Sequence, residues 1–248
     1  MTENINQDLN QKKILICGDS IARGVVIEND KKKYSFCENA ASKLLEPFLT
    51  AQLVNISKFG NTITRGMKGL VGNIIKVKPD IVTIEFGGND CDYDWDQVAE
   101  SPLSEHQPHT PLDLFKEGIA DMVNLVRDAK AVPVLFTLPP LDAERYFRWV
   151  SHEDAKRSEN ILKFLGNVNH IYWWQELYNN EIINMAQQLK VKFIDLRSAF
   201  LIQKDFSVFL CDDGIHPNAL GQRLIAETIK SYIQNSDIFL IKKLSPAS

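Results

Sequence analysis

The sequence predicts an α/β fold: a doubly wound, three-layer α/β/α sandwich around a five-stranded parallel sheet. Three observations support this prediction. Short apolar runs alternate along the chain with longer segments of helical periodicity. The runs carry few polar residues, which is typical of strands covered on both faces. A helical segment separates successive runs, and parallel strands need such a crossover. Ligands of these folds bind at the carboxyl ends of the strands.

Each element has its own signal in the sequence. The helix at residues 112–130 is the most regular, because Phe115, Ile119, Met122 and Val126 form one apolar stripe. Pro217 is expected in the first turn of the last helix, where a missing N–H is tolerated. Strands are predicted at residues 13–17, 53–56, 81–86, 132–138 and 192–196, and further helices at residues 39–49, 65–77 and 175–189.

A single domain is expected over residues 13–241, with flexible tails at residues 1–12 and 242–248. Two long excursions, at residues 91–111 and 139–175, leave the third and fourth strands. All four tryptophans lie between residues 91 and 180. Long loops are commonly functional, so Trp95, Tyr146 and Trp149 are candidates for substrate binding. A separate hydrophobic cluster or a dimer interface would explain these aromatic residues equally well.

Composition excludes several classes of protein. The chain carries 28 basic and 32 acidic side chains, a net charge of −4, so it lacks the basic stripe of a nucleic-acid-binding protein. Its apolar runs are too short for stable membrane insertion, and the first residues lack the apolar stretch of a secretory signal. Four cysteines without CxxC spacing indicate neither a metal site nor a disulfide framework. We expect a cytoplasmic protein without metal or cofactor. Its oligomeric state, a homo-oligomer included, is left open.

Three of the loops carry side chains of the types that take part in catalysis. Ser20 follows the first strand, Asn89 follows the third, and Asp213 and His216 precede the last helix. A serine becomes a nucleophile when a base takes its proton, and histidine suits that task near neutral pH. The acid three residues before the histidine can hold its second nitrogen, and an amide can stabilise an oxyanion.

The chain resembles the SGNH (GDSL-type) hydrolases, a family of serine esterases and acylhydrolases with a flavodoxin-like α/β/α fold. The resemblance rests on ICGDSIARG, NISKFGNTI, FGGND and DDGIHPN, in the family's order over residues 14–221, with GDSI in place of GDSL. It implies a catalytic triad of Ser20, His216 and Asp213. It also implies an oxyanion hole formed by Ser20, Gly60 and Asn89.

Other patterns have simpler explanations. Asp90, Asp92, Asp94 and Asp96 alternate as in the first half of a calcium loop, but Trp95 stands where that loop needs glycine. A solvated acidic loop is therefore the favoured interpretation. Asp19 is expected to accept backbone N–H groups in the turn that orients the serine. Cys91 is close in sequence to Asn89 and could lie near the pocket.

The predicted function is hydrolysis of a small carboxylic ester through an acyl-enzyme. The resemblance leaves open a short-chain ester, an O-acetylated sugar, a lysophospholipid or an acyl thioester as the substrate. A non-catalytic protein that binds an acylated or sugar ligand on the same fold is the alternative. A phosphoryl-transfer function would need a glycine-rich phosphate loop or a lysine cluster, and the sequence shows neither.

Overall fold

A parallel sheet forms the centre of the structure, a computed structural model that describes residues 11–28 and 33–236. The strands of this part of the chain are β1 (Lys13–Gly18), β2 (Val25–Glu28), β3 (Lys33–Phe36), β4 (Gln52–Asn55), β5 (Ile81–Glu85), β6 (Val132–Phe136) and β7 (Lys192–Ile194). Five of them pair in parallel in the order β4-β1-β5-β6-β7. The predicted α/β fold with a five-stranded parallel sheet is confirmed.

The order of the strands places a switch point in the sheet. From β1 the chain moves outward to β4, then returns to the other side of β1 as β5 and continues to β6 and β7. Loops that leave β1 and β5 therefore diverge to opposite sides and open a crevice at their carboxyl ends, where ligands of such folds bind.

Helices cover both faces of the sheet, which completes the three layers. The helices of the described residues are α1 (Ser20–Arg23), α2 (Ala41–Leu45), α3 (Ile63–Val77), α4 (Trp95–Glu100), α5 (Leu112–Asp128), α6 (Ala143–Ser151), α7 (Ala155–Leu165), α8 (His170–Gln188), α9 (Leu196–Leu201) and α10 (Ala219–Asn235). The first face is covered by α3, α5 and α8 and the second by α2, α9 and α10, while a 3₁₀ turn (Phe206–Phe209) precedes the last helix.

Two apolar cores hold these layers together. Leu70, Phe115 and Tyr178 are fully buried between the sheet and the first helical layer, whereas Phe200 and Ile225 belong to the core on the opposite face. Burial of each large apolar side chain contributes about 1.5–3 kcal/mol. The cores therefore fix the sheet rigidly beneath the loops at its carboxyl edge.

Several predicted boundaries are wrong for identifiable reasons. The helix predicted at residues 39–49 is reduced to α2, because Pro47 has no N–H to continue the helical ladder. Pro217 is not in the first turn of the last helix: it precedes Asn218, whose side chain caps α10 by accepting the N–H groups of Leu220 and Gly221 at 2.9 and 3.1 Å. The strand at residues 192–196 ends at 194, since Asp195 caps α9.

The regions expected as loops contain further elements. Residues 139–175 hold α6, α7 and the beginning of α8, and residues 91–111 hold α4. After β1 the chain forms the short helix α1, turns at Gly24 with φ of +78° and runs into the antiparallel β2–β3 hairpin. The sequence patterns described above do not predict this hairpin. The tails expected at residues 1–12 and 242–248 lie outside the described residues, apart from residues 11 and 12.

No helix in the described part of the chain combines the length and the apolarity needed to cross a membrane.

Candidate active site

The predicted site residues converge at the carboxyl edge of the sheet. Ser20 follows β1 directly, Asn89 lies in the loop after β5, and Asp213 and His216 lie in the loop before α10. Although Ser20 and His216 are 196 residues apart in the sequence, their side chains are in contact. The fold therefore brings together groups from both ends of the chain.

Ser20, His216 and Asp213 form a continuous hydrogen-bonded relay. The Oγ atom of Ser20 lies 2.9 Å from Nε2 of His216, and Nδ1 of His216 lies 2.5 Å from Oδ2 of Asp213. All three residues are buried, with exposed fractions of 5% or less. The arrangement can pass the hydroxyl proton to the imidazole and stabilise the resulting charge with the carboxylate.

Local hydrogen bonds hold the loop that carries Asp213 and His216. Oδ1 of Asp213 accepts the backbone N–H groups of Ile215 and His216 at 3.1 Å each, and the His216 carbonyl accepts the N–H of Cys211 at 2.7 Å. Gly214 adopts φ of +76°, and a Cβ there would lie 2.6 Å from the carbonyl oxygen of Asp142. Only glycine fits this turn without moving α6.

Asp19 organises the turn that presents Ser20. Its Oδ1 atom caps α1 by accepting the N–H of Ile21 at 2.8 Å, as expected from the sequence. Its Oδ2 atom accepts the Nδ2 amide of Asn89 at 3.0 Å. The same carboxyl group thus connects the serine turn with the asparagine that follows β5.

The asparagine is fixed from two sides. Its side-chain amide is bonded to Asp19, and its backbone carbonyl oxygen accepts the Nδ1–H of His109 at 3.0 Å. An amide nitrogen carries two hydrogens, so one N–H of Asn89 remains for a ligand.

Gly60 lies in the loop after β4 with φ of +66° and open space around its α-carbon. Its neighbour Phe59 lines the cavity beside Ser20, and the oxyanion role of Gly60 stays a prediction.

A cavity of about 450 Å³ extends from the serine and histidine toward the aromatic region. Trp95, Tyr146 and Trp149 all line it, as do Ser20 and Asn89. The same region also forms a third hydrophobic cluster, in which Trp95 and Tyr146 are buried. The aromatic residues thus form a packed wall of the cavity and stabilise the excursions at the same time.

The four alternating aspartates have separate partners and do not form one loop of ligands. Asp90 accepts the N–H of Ile63 at 3.0 Å, and Asp94 caps α4. Asp92 accepts Trp95 Nε1 at 2.8 Å and the hydroxyl of Tyr146 at 2.7 Å. Asp96 pairs with Arg157 at 2.8 Å. The solvated acidic loop favoured from the sequence is therefore wrong for Asp90, which is fully buried, and for Asp92, which is half-buried with both carboxylate oxygens bonded to aromatic side chains.

Burial sets the ionisation of the other groups near the cavity. Cys91 lines the cavity, but burial and the neighbouring Asp92 raise the pKa of its thiol well above the usual value. Burial together with Glu85 raises the pKa of Cys17 to about 12. Both thiols therefore stay protonated at neutral pH and are poor nucleophiles. Across the described residues, no group of three or more His, Cys, Asp or Glu side chains is arranged to hold a metal ion.

Two aromatic residues that pack against the His216 ring were not predicted from the sequence. The Tyr34 ring lies 5.2 Å from the His216 ring, centroid to centroid, and Phe59 stacks on the same imidazole at 6.1 Å with an interplanar angle of 10°. Trp149 lies 6.1 Å from Tyr34. Tyr34 belongs to the unpredicted hairpin, so no periodicity located it. Phe59 directly precedes Gly60, and that position was the available signal.

Comparison with known proteins gives a consistent picture. A family model described as "GDSL-like Lipase/Acylhydrolase family" matches residues 16–224. A GDSL esterase/lipase of Arabidopsis thaliana is 26% identical over 162 residues, which cover 65% of this chain and 46% of the plant protein. An arylesterase of Vibrio mimicus is 23% identical over 220 residues, covering 88% of this chain and 86% of that protein. The chain spans about half the length of the first plant relatives, 46% and 57%.

Solved structures share the fold at low sequence identity. A lipase/acylhydrolase from Enterococcus faecalis superposes with a TM-score of 0.63 at 21% identity, covering 95% of this chain and all of the other. A catalytic mutant of an acetylxylan esterase from Geobacillus stearothermophilus gives a TM-score of 0.62 at 19% identity, with 91% and 95% of the two chains covered.

Proposed function

The chain belongs to the GDSL-like lipase/acylhydrolase family, and we propose that it hydrolyses carboxylic esters. Ser20 is the nucleophile, His216 is the general base, and the Asp213 carboxylate stabilises the protonated His216. The observation that carries the proposal is the 2.9 Å contact between Ser20 Oγ and His216 Nε2. The relatives described as esterases support the same activity.

The first step forms an acyl-enzyme. Ser20 Oγ attacks the ester carbonyl while Nε2 of His216 takes its proton, and the Asp213 carboxylate stabilises the imidazolium. When the tetrahedral intermediate collapses, His216 returns the proton to the leaving alkoxide. The alcohol departs and the acyl group stays on the serine.

Fixed donors stabilise the oxyanion of the intermediate. The N–H of Asn89 that is not bonded to Asp19 is one such donor, and the backbone N–H groups of Ser20 and Gly60 are the others. Donors held in place before the reaction need no reorganisation as charge develops, which is why each is worth about 3–4 kcal/mol. The two bonds that hold Asn89, to Asp19 and His109, provide this rigidity.

Water completes the cycle in the second step. His216 removes a proton from a water molecule that attacks the acyl carbonyl, and the same donors stabilise the second oxyanion. Ser20 leaves with a proton returned from His216, and the carboxylic acid is released. No metal or organic cofactor takes part in the proposed cycle.

The cavity favours a small, uncharged ester. A volume of about 450 Å³ is in the range of sites for small molecules. Of the described residues that line it, Asp19, Asp92 and Asp94 form no salt bridge with a lysine or arginine, whereas Arg157 is paired with Asp96. An anionic substrate would meet this acidic lining. We therefore propose short-chain or acetyl esters as substrates. The cytoplasmic location stays a prediction from the sequence.

A panel of nitrophenyl esters from acetate to palmitate, together with acetylated sugars, tests the proposal. We expect the highest kcat/KM for short acyl chains and a loss of about 10³–10⁶-fold in kcat for Ser20→Ala. Ser104→Ala, at an exposed serine of the first excursion, is the matched control and should keep full activity. Normal turnover by Ser20→Ala would rule out the proposed nucleophile.

A further inference from the structure

The carboxyl groups of Asp19 and Glu85 are buried and interact with each other next to the serine turn. Glu85 ends β5 and pairs in register with Gly18, the last residue of β1, so its side chain lies beside Asp19. The exposed fractions of Asp19 and Glu85 are only 1% and 2%. The proposed mechanism gives Glu85 no role, although its carboxyl group accepts backbone N–H groups on both sides of Ser20.

The hydrogen bonds of this carboxyl pair reach both halves of the site. Oε2 of Glu85 accepts the backbone N–H groups of Asp19 at 3.4 Å and Ala22 at 3.3 Å, which flank Ser20. Asp19 in turn accepts the amide of Asn89. A change in the pair would therefore move the nucleophile and the oxyanion donor together.

The charges around the pair do not allow two carboxylates. No lysine or arginine of the described residues is bonded to either group, and Oε1 of Glu85 has no hydrogen-bond partner. Glu85 also lines a nearly apolar cavity of about 90 Å³ between the sheet and the second helical layer. Two adjacent carboxyl groups in such a site cannot both ionise, and they retain one proton between them.

We propose that Glu85 is a positioning residue of the hydrolytic site: with Asp19 it forms a carboxyl pair that shares one proton and holds the Ser20 turn and Asn89 in their reactive geometry. The inference rests on the proposed esterase function. It extends that function to a residue outside the triad and the oxyanion hole.

The ionisation of the surrounding groups agrees with this assignment. Burial, together with the negative charge of Glu85, raises the pKa of Asp19 well above its ordinary value. Burial also raises the pKa of Glu85, and nearby Asp90 acts in the same direction. His216 is the basic group that faces Asp19 and acts in the opposite direction.

The shared proton has a mechanical consequence for the site. With one proton, the two groups attract each other through a hydrogen bond, and the remaining negative charge accepts the surrounding N–H donors. Loss of that proton would place two carboxylates in contact and drive Asp19 away from Glu85. Because Asp19 holds Asn89, whose free N–H is proposed to serve the oxyanion of the intermediate, the loss would lower kcat much more than it changes KM.

Infrared difference spectroscopy of the full-length protein tests the shared proton. We expect the C=O stretch of a protonated carboxyl group, beyond any contribution of Asp92, whose pKa is also raised, at a pH well above 6, where Asp90, with a pKa of about 6, is ionised. The band should be missing in Glu85→Gln, because the glutamine amide donates to an ionised Asp19. The matched control is Glu117→Gln, at an exposed glutamate of α5, which should keep the band. Absence of the band from the wild type, or its persistence in Glu85→Gln, would overturn the shared proton.

Ester hydrolysis by the same variants tests the positioning role. Glu85→Gln keeps an acceptor for the Asp19 and Ala22 N–H groups, so we expect kcat within about tenfold of the wild type. Glu85→Leu removes the acceptor, and a displacement of the turn should lower kcat on the order of 100-fold with KM changed less than about twofold. Circular dichroism establishes that each variant is folded. A folded Glu85→Leu protein with wild-type kcat would overturn the role, and if Leu fails to fold, a Glu85→Gln loss as large as that of Ser20→Ala would do so.

The two proposals fail in different ways. If Ser20 is not the nucleophile, Ser20→Ala stays active while the infrared band of the pair is unaffected. If the pair is not protonated, the band is missing while Ser20→Ala remains inactive. The spectroscopic result therefore does not depend on ester hydrolysis.

Discussion

Replacing Asp213 by asparagine is the most informative single change in the proposed triad. The substitution keeps the size of the side chain and one carbonyl oxygen, and it exchanges the other oxygen for an NH₂ group. Two backbone donors decide which end faces the histidine. Because Oδ1 accepts the N–H groups of Ile215 and His216, the amide oxygen stays there and the NH₂ group faces Nδ1 of His216.

The NH₂ group that faces Nδ1 determines which tautomer His216 adopts, and the expected effect follows from that tautomer. A ring nitrogen that faces a donor must be unprotonated, so the single proton of the neutral imidazole moves to Nε2. This atom lies 2.9 Å from Ser20 Oγ and can then no longer accept the serine proton. A wrong tautomer in a Ser-His-Asp triad lowers kcat on the order of 10⁴-fold, about 5.5 kcal/mol of activation free energy.

Steady-state hydrolysis of nitrophenyl acetate measures this loss. The matched control is Asp212→Asn, at the exposed neighbouring aspartate, which removes the same charge without touching the histidine. We expect wild-type kcat for the control. An Asp213→Asn protein that keeps more than about a tenth of the wild-type kcat, or an equal loss in the control, would refute the reasoning.

Three further predictions test other parts of the structure. Asn89→Ala removes a proposed oxyanion donor and should lower kcat by about 10²–10³-fold in the same assay; an unchanged kcat would exclude Asn89 from the oxyanion hole. Gly18→Ala places a Cβ only 2.8 Å from the Glu85 carbonyl oxygen, so we expect a loss of about 1–3 kcal/mol in urea unfolding, and an unchanged midpoint would contradict this packing. Burial raises the pKa of Asp90 from 3.8 to about 6, so ionising it opposes folding, and the wild type loses this stability as the pH rises from about 4 to about 6. Asp90→Asn should therefore gain up to about 3 kcal/mol over the wild type at pH 7, with the difference vanishing below about pH 4; a difference that does not depend on pH would exclude this cause.

The sequence predicts the sheet well because its signals are local. The inner strands β5 and β6 are short, mostly apolar runs, and the run at residues 13–17 forms β1 within one residue of its observed bounds. The apolar stripe of Phe115, Ile119, Met122 and Val126 likewise lies in α5 and is buried. These patterns record burial directly, so tertiary packing reinforces them.

The elements that were missed depend on tertiary contacts. The β2–β3 hairpin consists of two strands of only four residues each, VVIE and KYSF, and such short strands gain stability from the surface on which they pack. The helices α6 and α7 are amphipathic segments that face the aromatic cluster, and the sequence alone could not show that a cluster was there. Helix ends depend on caps, which is why Asn218 rather than Pro217 marks the beginning of α10.

The residues of the candidate site also fall into those that local sequence patterns predict and one that depends on tertiary contacts. Ser20, Asn89, Asp213 and His216 could be named because their residue types, order and position next to strands or helices are visible in the sequence. Glu85 could not be named as a site residue, because in the sequence it is one residue of an otherwise mostly apolar strand. Its contact with Asp19 arises from the register of β1 and β5, which no pattern in a single strand reveals.

Labelling with a fluorophosphonate, followed by mass spectrometry of the digested protein, tests the central claim most directly. The activated hydroxyl should form a covalent phosphonyl adduct on the peptide that contains Ser20. Ser20→Ala should carry no adduct, and Asp213→Asn should react far more slowly than the wild type. An adduct on another residue, or none on an active wild-type enzyme, would contradict the account.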